Sequence, residues 1–130
     1  MISSKALAAT RRQIETMLIA VAGPYSAGSS EEQRRNLETL NRAAAKVLRL
    51  GHVPIIGVNA ALPVVDFLGD NEDRYEAIMK ISLAVVDKCD AILMIGESAG
   101  ANRERELIRA KGLPVYNSIA EIPIAYDRAD

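Results

Sequence analysis

The stretch Met-Leu-Ile-Ala-Val-Ala at residues 17–22, followed by Gly-Pro-Tyr-Ser-Ala-Gly-Ser-Ser at 23–30, decides the fold. An apolar run without alternation reads as a short strand covered on both faces, as in a parallel sheet flanked by helices. Gly23-Pro24 breaks the run, and the small residues after it make a loop. Ser30, with Gln33 three positions on, has the form of a capping box that opens a long helix. Leu37, Leu40, Ala44, Val47 and Leu48 supply the apolar face of that helix. Gly51 suits the position just past its end.

The same alternation continues downstream. Residues 53–58 read as a second buried strand, and 59–69, with Pro63, as irregular. A helix is expected over 72–88, with Ile78, Ile81 and Val85 at helical spacing. A third strand is expected over 90–95, a loop over 96–100, a helix over 101–111 ending at Gly112, and a fourth strand over 113–116. Residues 117–130 form a short, partly polar tail, and 4–15 read as a helix. Strands alternating with helices imply a parallel sheet with right-handed crossovers. The expected architecture is α/β: a single three-layer domain with a four- to five-stranded parallel sheet, flavodoxin- or Rossmann-like, over 17–130. Residues 1–16 are expected to be a helical extension upstream of it.

Composition narrows the chemistry. The chain has 130 residues, a single-domain length, and is 49% hydrophobic and 25% charged. Sixteen Lys and Arg stand against seventeen Asp and Glu, a net charge of -1, so no nucleic-acid partner is expected. One His and one Cys are too few for a structural zinc site within one chain, or for a disulfide scaffold. No apolar run reaches the roughly 18 residues of a membrane span, and residues 1–16 lack a signal peptide's apolar core. Cys89 without a partner fits a reducing cytosol, so a cytoplasmic protein is expected. Catalysis must rest on carboxylates, hydroxyls, Arg, Lys and backbone N–H groups.

Ligands of such sheets bind at the carboxyl ends of the strands, near the point where strand order reverses. Loop 23–30 is neither a Walker A loop nor a GxGxxG fingerprint. It reads equally as a strand-to-helix turn and as a ligand loop with Tyr25 stacked on a planar ring. In the second loop and its helix, Glu104 precedes Leu107 and Ile108 by three and four positions, so it lies on the inward stripe. It reads as a nucleophile or general base in a cleft, or as a dipole-favoured group in the first helical turn. His52 reads as a surface or edge residue, Cys89 as a small buried residue, and Arg34-Arg35 as helix surface.

Three segments together are similar to one family. They are the strand and Ala-Gly-Pro-Tyr at 22–25, the run Cys89-Asp90-Ala-Ile-Leu-Met-Ile95, and Ser98-x-Gly100-x-x-x-Glu104 followed by Ala110-Lys-Gly-Leu-Pro-Val115. Over about 17–116 the chain resembles the nucleoside 2-deoxyribosyltransferase superfamily, including its nucleotide N-glycosidase members.

The resemblance implies that Glu104 is a nucleophile attacking C1′ of a ribosyl or deoxyribosyl group, with no metal or cofactor. It implies that Ser98 and Gly100 hold the 5′ end of the sugar, and that Gly23 and Tyr25 line the pocket. Ser at 98, where members acting on free nucleosides are commonly acidic, favours a 5′-phosphate, because a hydroxyl can donate to it. One departure is Ser82, eight positions before Asp90, where the family usually carries an Asp. Ser82 shares the apolar stripe of Ile78, Ile81 and Val85, so it faces inward towards the substrate site, but it cannot act as a general acid; Asp66, Asp70 and Asp73 are conceivable substitutes.

The expected activity is therefore hydrolysis of the N-glycosidic bond of a nucleoside 5′-monophosphate or related nucleotide. The alternatives are a non-catalytic nucleotide-binding or sensing module and deoxyribosyl transfer between bases. The expected partner is a small-molecule nucleotide or nucleoside. A homo-oligomer, dimer or tetramer, with shared sites is also implied, with Tyr116, Asn117 or Ser118 near the partner's site.

Overall fold

The computed structural model describes residues 13–125. Its elements in chain order are β1 (Gln13–Ile14), β2 (Leu18–Ala22), α1 (Ser30–Arg49), β3 (Val53–Ile55), α2 (Gly57–Val65), α3 (Arg74–Val86), β4 (Ala91–Met94), α4 (Ala99–Ala110), β5 (Val115–Tyr116), a 3-10 turn (Ile119–Glu121) and β6 (Ile124–Ala125).

The expected α/β architecture is present. Four strands form a parallel sheet in the order β3-β2-β4-β5. Side chains alternate across it. Ile19, Val21, Ala91 and Leu93 pack with Leu40, Ala43 and Val47 of α1 on one face. Ala20, Ala22, Ile92 and Met94 pack with Val86, Ala101 and Ile108 on the other. Both central strands are thus buried on two sides, which is why their sequences lack polar alternation.

Several local expectations are corrected. The α1 cap is Ser29, not Ser30: its hydroxyl accepts from the Glu32 N–H at 3.2 Å, while Gln33 reaches back to the Ala27 carbonyl. Adjacent serines offer the same chemistry, so sequence cannot separate them. Leu48 is 61% exposed and Ala43 takes its place in the buried stripe. The helical C-terminus is as expected, with Gly51 at φ +90, a conformation that favours glycine.

The second strand stops at Ile55, and the segment expected to be irregular contains α2. Pro63 sits inside that helix. Its missing N–H falls on the exposed side, where water can take the Asn59 carbonyl. Buried Gly57, Ala61 and Val65 hold α2 along α3. In α3 the buried stripe is Met79, Ser82 and Val86, one position on from Ile78, Ile81 and Val85. The helix expected over 101–111 begins earlier, at Ala99. The helix expected over 4–15 lies largely outside the described residues. Its end, Gln13–Ile14, is strand, paired in parallel with Ile124–Ala125.

His52, expected at the surface or an edge, is fully buried. Its Nδ1 accepts from the Met17 N–H at 3.0 Å, so Nε2 carries the ring proton and donates to the Pro123 carbonyl at 2.6 Å. The imidazole therefore joins the entry to β2 to the segment that carries β6. His52→Leu leaves both backbone groups without a partner. We expect it to cost about 3 kcal/mol in urea unfolding, against under about 0.5 kcal/mol for the exposed Lys80→Ala.

Candidate active site

Strand order reverses between β2 and β4, which leave the sheet side by side. Ala22 pairs with Met94, and the Ile95 N–H donates to the Ala22 carbonyl at 2.9 Å. The loops after these strands are consequently pressed together. A Cβ on Gly23 would meet Ile95 at 2.6 Å, and one on Gly96 would meet Pro24 at 2.9 Å. Asn36 of α1 holds the first loop by donating to the Tyr25 carbonyl at 2.9 Å.

A cleft of about 150 Å³ opens over this junction. It gathers Gly23, Tyr25, Ser82, Ser98, Gly100 and Glu104, so every site residue named from the sequence lines one space. The volume is below the roughly 300–1,000 Å³ of a site that encloses a drug-sized ligand. The rim of the cleft is formed in part by half-buried Tyr25 and exposed Tyr75.

Glu104 is only 7% exposed and projects from the inward face of α4, in line with Ala101 and Ile108. Because α4 starts at Ala99, Glu104 falls in the second turn, and the first turn carries no acid. A capping or dipole role is thereby excluded for it. Ser82, 1% exposed, donates its hydroxyl proton to Glu104 Oε1 at 2.5 Å. No other partner holds Glu104 among the described residues, so Oε2 is left to the cleft. Burial raises the Glu104 carboxyl above the ordinary range, and the Ser82 bond partly counters that by favouring the charged form.

Ser82 is itself fixed from behind. A Cβ on Gly57 would lie 2.1 Å from its Oγ and 3.1 Å from its Cα. Sequence reading missed Gly57, which looked like a strand residue. It also missed Tyr75, Ile78 and Met79, which reach the cleft only because α3 packs beside α4.

Ser98 is the N-cap of α4, its oxygen accepting from the Ala101 N–H at 3.1 Å. Its own proton stays available to a ligand. Gly100 lets α4 approach α3, because a Cβ there would meet Met79 Sδ at 3.1 Å.

None of the conceivable substitutes for an acid at Ser82 reaches the cleft lining. Asp66 pairs with Arg74 at 2.8 Å, Asp73 caps α3, and Asp70 is exposed. Cys89 is buried and its thiol is pushed up to about 11 by desolvation, which leaves it inert. Arg34 and Arg35 are surface residues paired with Glu38 and Glu31. Among the described residues, no cluster of His, Cys, Asp and Glu could hold a metal ion, and no helix is long and apolar enough to cross a membrane.

Two outcomes are expected. Gly57→Ala forces Ser82 and α3 aside and costs about 1–3 kcal/mol in denaturant unfolding, whereas Gly69→Ala, in open space, stays within about 0.5 kcal/mol. Glu104 holds a proton more tightly folded than unfolded, so the stability linked to its protonated form is complete below its unfolded pKa. That stability is lost as pH rises through the folded value. Glu104→Gln mimics the neutral form, so it should melt above the wild type at about pH 7, the gap closing below about pH 4.

A family model described as "Domain of unknown function (DUF4406)" matches residues 17–117. No curated protein matches the chain. Among solved structures, the chain is similar to one from the characterization of a 2-deoxyribosyltransferase from Bacillus psychrosaccharolyticus. The two are 22% identical, with a TM-score of 0.48, over 75% of this chain and 69% of that one. Matched from β2 to just past β5, with both cleft-forming loops inside the match, the chain belongs to the DUF4406 family, a domain of unknown function.

Proposed function

We propose that the protein cleaves the N-glycosidic bond of a nucleoside 5′-monophosphate or related nucleotide, with Glu104 as nucleophile. The observation that carries this reading is a buried carboxyl with one oxygen fixed by Ser82 and the other open to the cleft. Such a group is aimed at one point, which holds it in line with a reacting carbon.

Glu104 Oε2 attacks C1′ as the C1′–N bond breaks, the electron pair leaves with the base, which ends with a proton supplied overall by the water consumed, and the oxocarbenium-like centre collapses to a glycosyl ester. Ser82 holds Oε1 through both steps. Water then attacks C1′ of the ester, releasing the sugar and restoring the carboxylate. Ser98 donates its free hydroxyl proton to the 5′-phosphate, beside the N–H groups that open α4. Tyr25 covers the base or sugar from the rim. The resemblance of segments 22–25, 89–95 and 98–115 to nucleotide N-glycosidases supports the same assignment.

Incubation with a panel of nucleoside 5′-monophosphates, followed by chromatography for free base, tests this reading. Glu104→Ala is expected to lower base release by at least about 1,000-fold, as loss of a nucleophile does. Undiminished release from that variant would remove Glu104 from the mechanism.

A further inference from the structure

We propose that the cleft selects N-glycosides whose leaving ring carries a fixed positive charge, such as pyridinium ribosides and N7-alkylated purine nucleosides or nucleotides. The inference rests on the glycosidic reading of the site and deepens it by naming the substrate class.

The first observation is what the cleft lacks. Among the described residues that line it, Glu104 is the sole carboxyl, and none is a His, Lys, Arg or Cys. The other polar side chains are the hydroxyls of Tyr25, Ser26, Tyr75, Ser82 and Ser98. These are far weaker acids than a carboxyl, and the Ser82 proton is already committed to Glu104. A neutral nucleoside loses its base as an anion unless an acid delivers a proton to it. One carboxyl cannot be nucleophile and acid in the same step.

A cationic ring removes that requirement. The electron pair of the C1′–N bond moves onto the ring and cancels its charge, so the base departs neutral without a proton. The bond from Glu104 to C1′ cancels the carboxylate charge at the same time. Hydrolysis of the ester by water then returns the carboxylate, the free sugar and one proton. A step that annihilates two opposite charges is favoured in a buried, apolar cleft, where separated charges are costly.

The second observation is the rim. Tyr25 and Tyr75, two of the four tyrosines in the chain, both line the cleft; the Arg103 guanidinium already lies over the Tyr75 ring, so Tyr25 is the aromatic group left to attract a cationic ring. The nearby cations are neutralised. Arg74, beside Tyr25, pairs with Asp66 at 2.8 Å. Arg103, 5.8 Å from the Tyr75 ring centre, pairs with Glu76 at 2.9 Å. The lining therefore presents one uncompensated carboxylate to an incoming ligand.

The test uses the full chain with 7-methylguanosine and guanosine, each also as its 5′-monophosphate, a set in which the members of each pair differ only by the N7 methyl group and the ring charge it brings. Base release is divided by each compound's spontaneous rate. The methylated compounds are expected to show an enhancement at least about 100-fold larger, the scale of an absent general acid. Glu104→Gln should abolish that enhancement. Their kcat/KM should rise with pH to a plateau, without a falling limb, across roughly pH 4 to 6, below the loss of the N1 proton from the methylated guanine ring. Equal enhancement of guanosine, or a falling limb, would reveal an acid and overturn the proposal while leaving the glycosidic reading intact. Release of base from none of the four compounds, with base released from other members of the 5′-monophosphate panel, would overturn this proposal and leave the glycosidic reading standing.

Discussion

Everything at the candidate site depends on β2 and β4 lying side by side with both faces buried. Their pairing runs from Ile19 with Ala91 to Ala22 with Met94, and it continues into the loops through the bond from Ile95 to Ala22. Neither strand has a solvent face, so both can be apolar throughout, and each face recruits its own helices. The pairing also carries two loops, distant in sequence, to one edge of the sheet. There Gly23 and Gly96 are required because each loop is packed against the other. A side chain at either position would wedge the loops apart and open the cleft floor.

On that frame the protein keeps a carboxyl where burial penalises its charge. The penalty is moderated, not removed, by one hydroxyl. Ser82 supplies a proton to Oε1, Gly57 gives Ser82 its space, and the close approach of α2 to α3 follows from that contact. The arrangement is unlike a structural ion pair, since among the described residues no cation is paired with Glu104 and the second oxygen is left to the cleft. A carboxyl held in this way costs stability at neutral pH, and functional sites commonly carry that cost.

Much of the frame was legible because its signals are local and strong. The uninterrupted apolar runs at 17–22 and 90–95, each followed by small residues, identified the central strands. The spacing of Glu104 from Ile108 put the carboxyl on the inward stripe, and the same reasoning turned Ser82 inward. Other features were not legible. Pro63 reads as a breaker, yet α2 forms because Gly57, Ala61 and Val65 pack on α3 and the missing N–H lies at the exposed surface. His52 carries no local sign of burial, because its partners Met17 and Pro123 are brought together by strands far apart in the chain.

By itself the sequence determined the alternation of strands and helices, the two loops that meet at the cleft, and the place of Glu104 on the inward stripe of its helix. Periodicity and breaker residues act over a few positions, and so can be read along the chain. Tertiary structure alone decided the strand order and hence the meeting of the two loops. It also decided the start of α4 at Ala99, which moved Glu104 out of the capping turn, and the bond between Ser82 and Glu104 with Gly57 behind it. Those are contacts between residues remote in sequence, fixed by packing that no local pattern encodes.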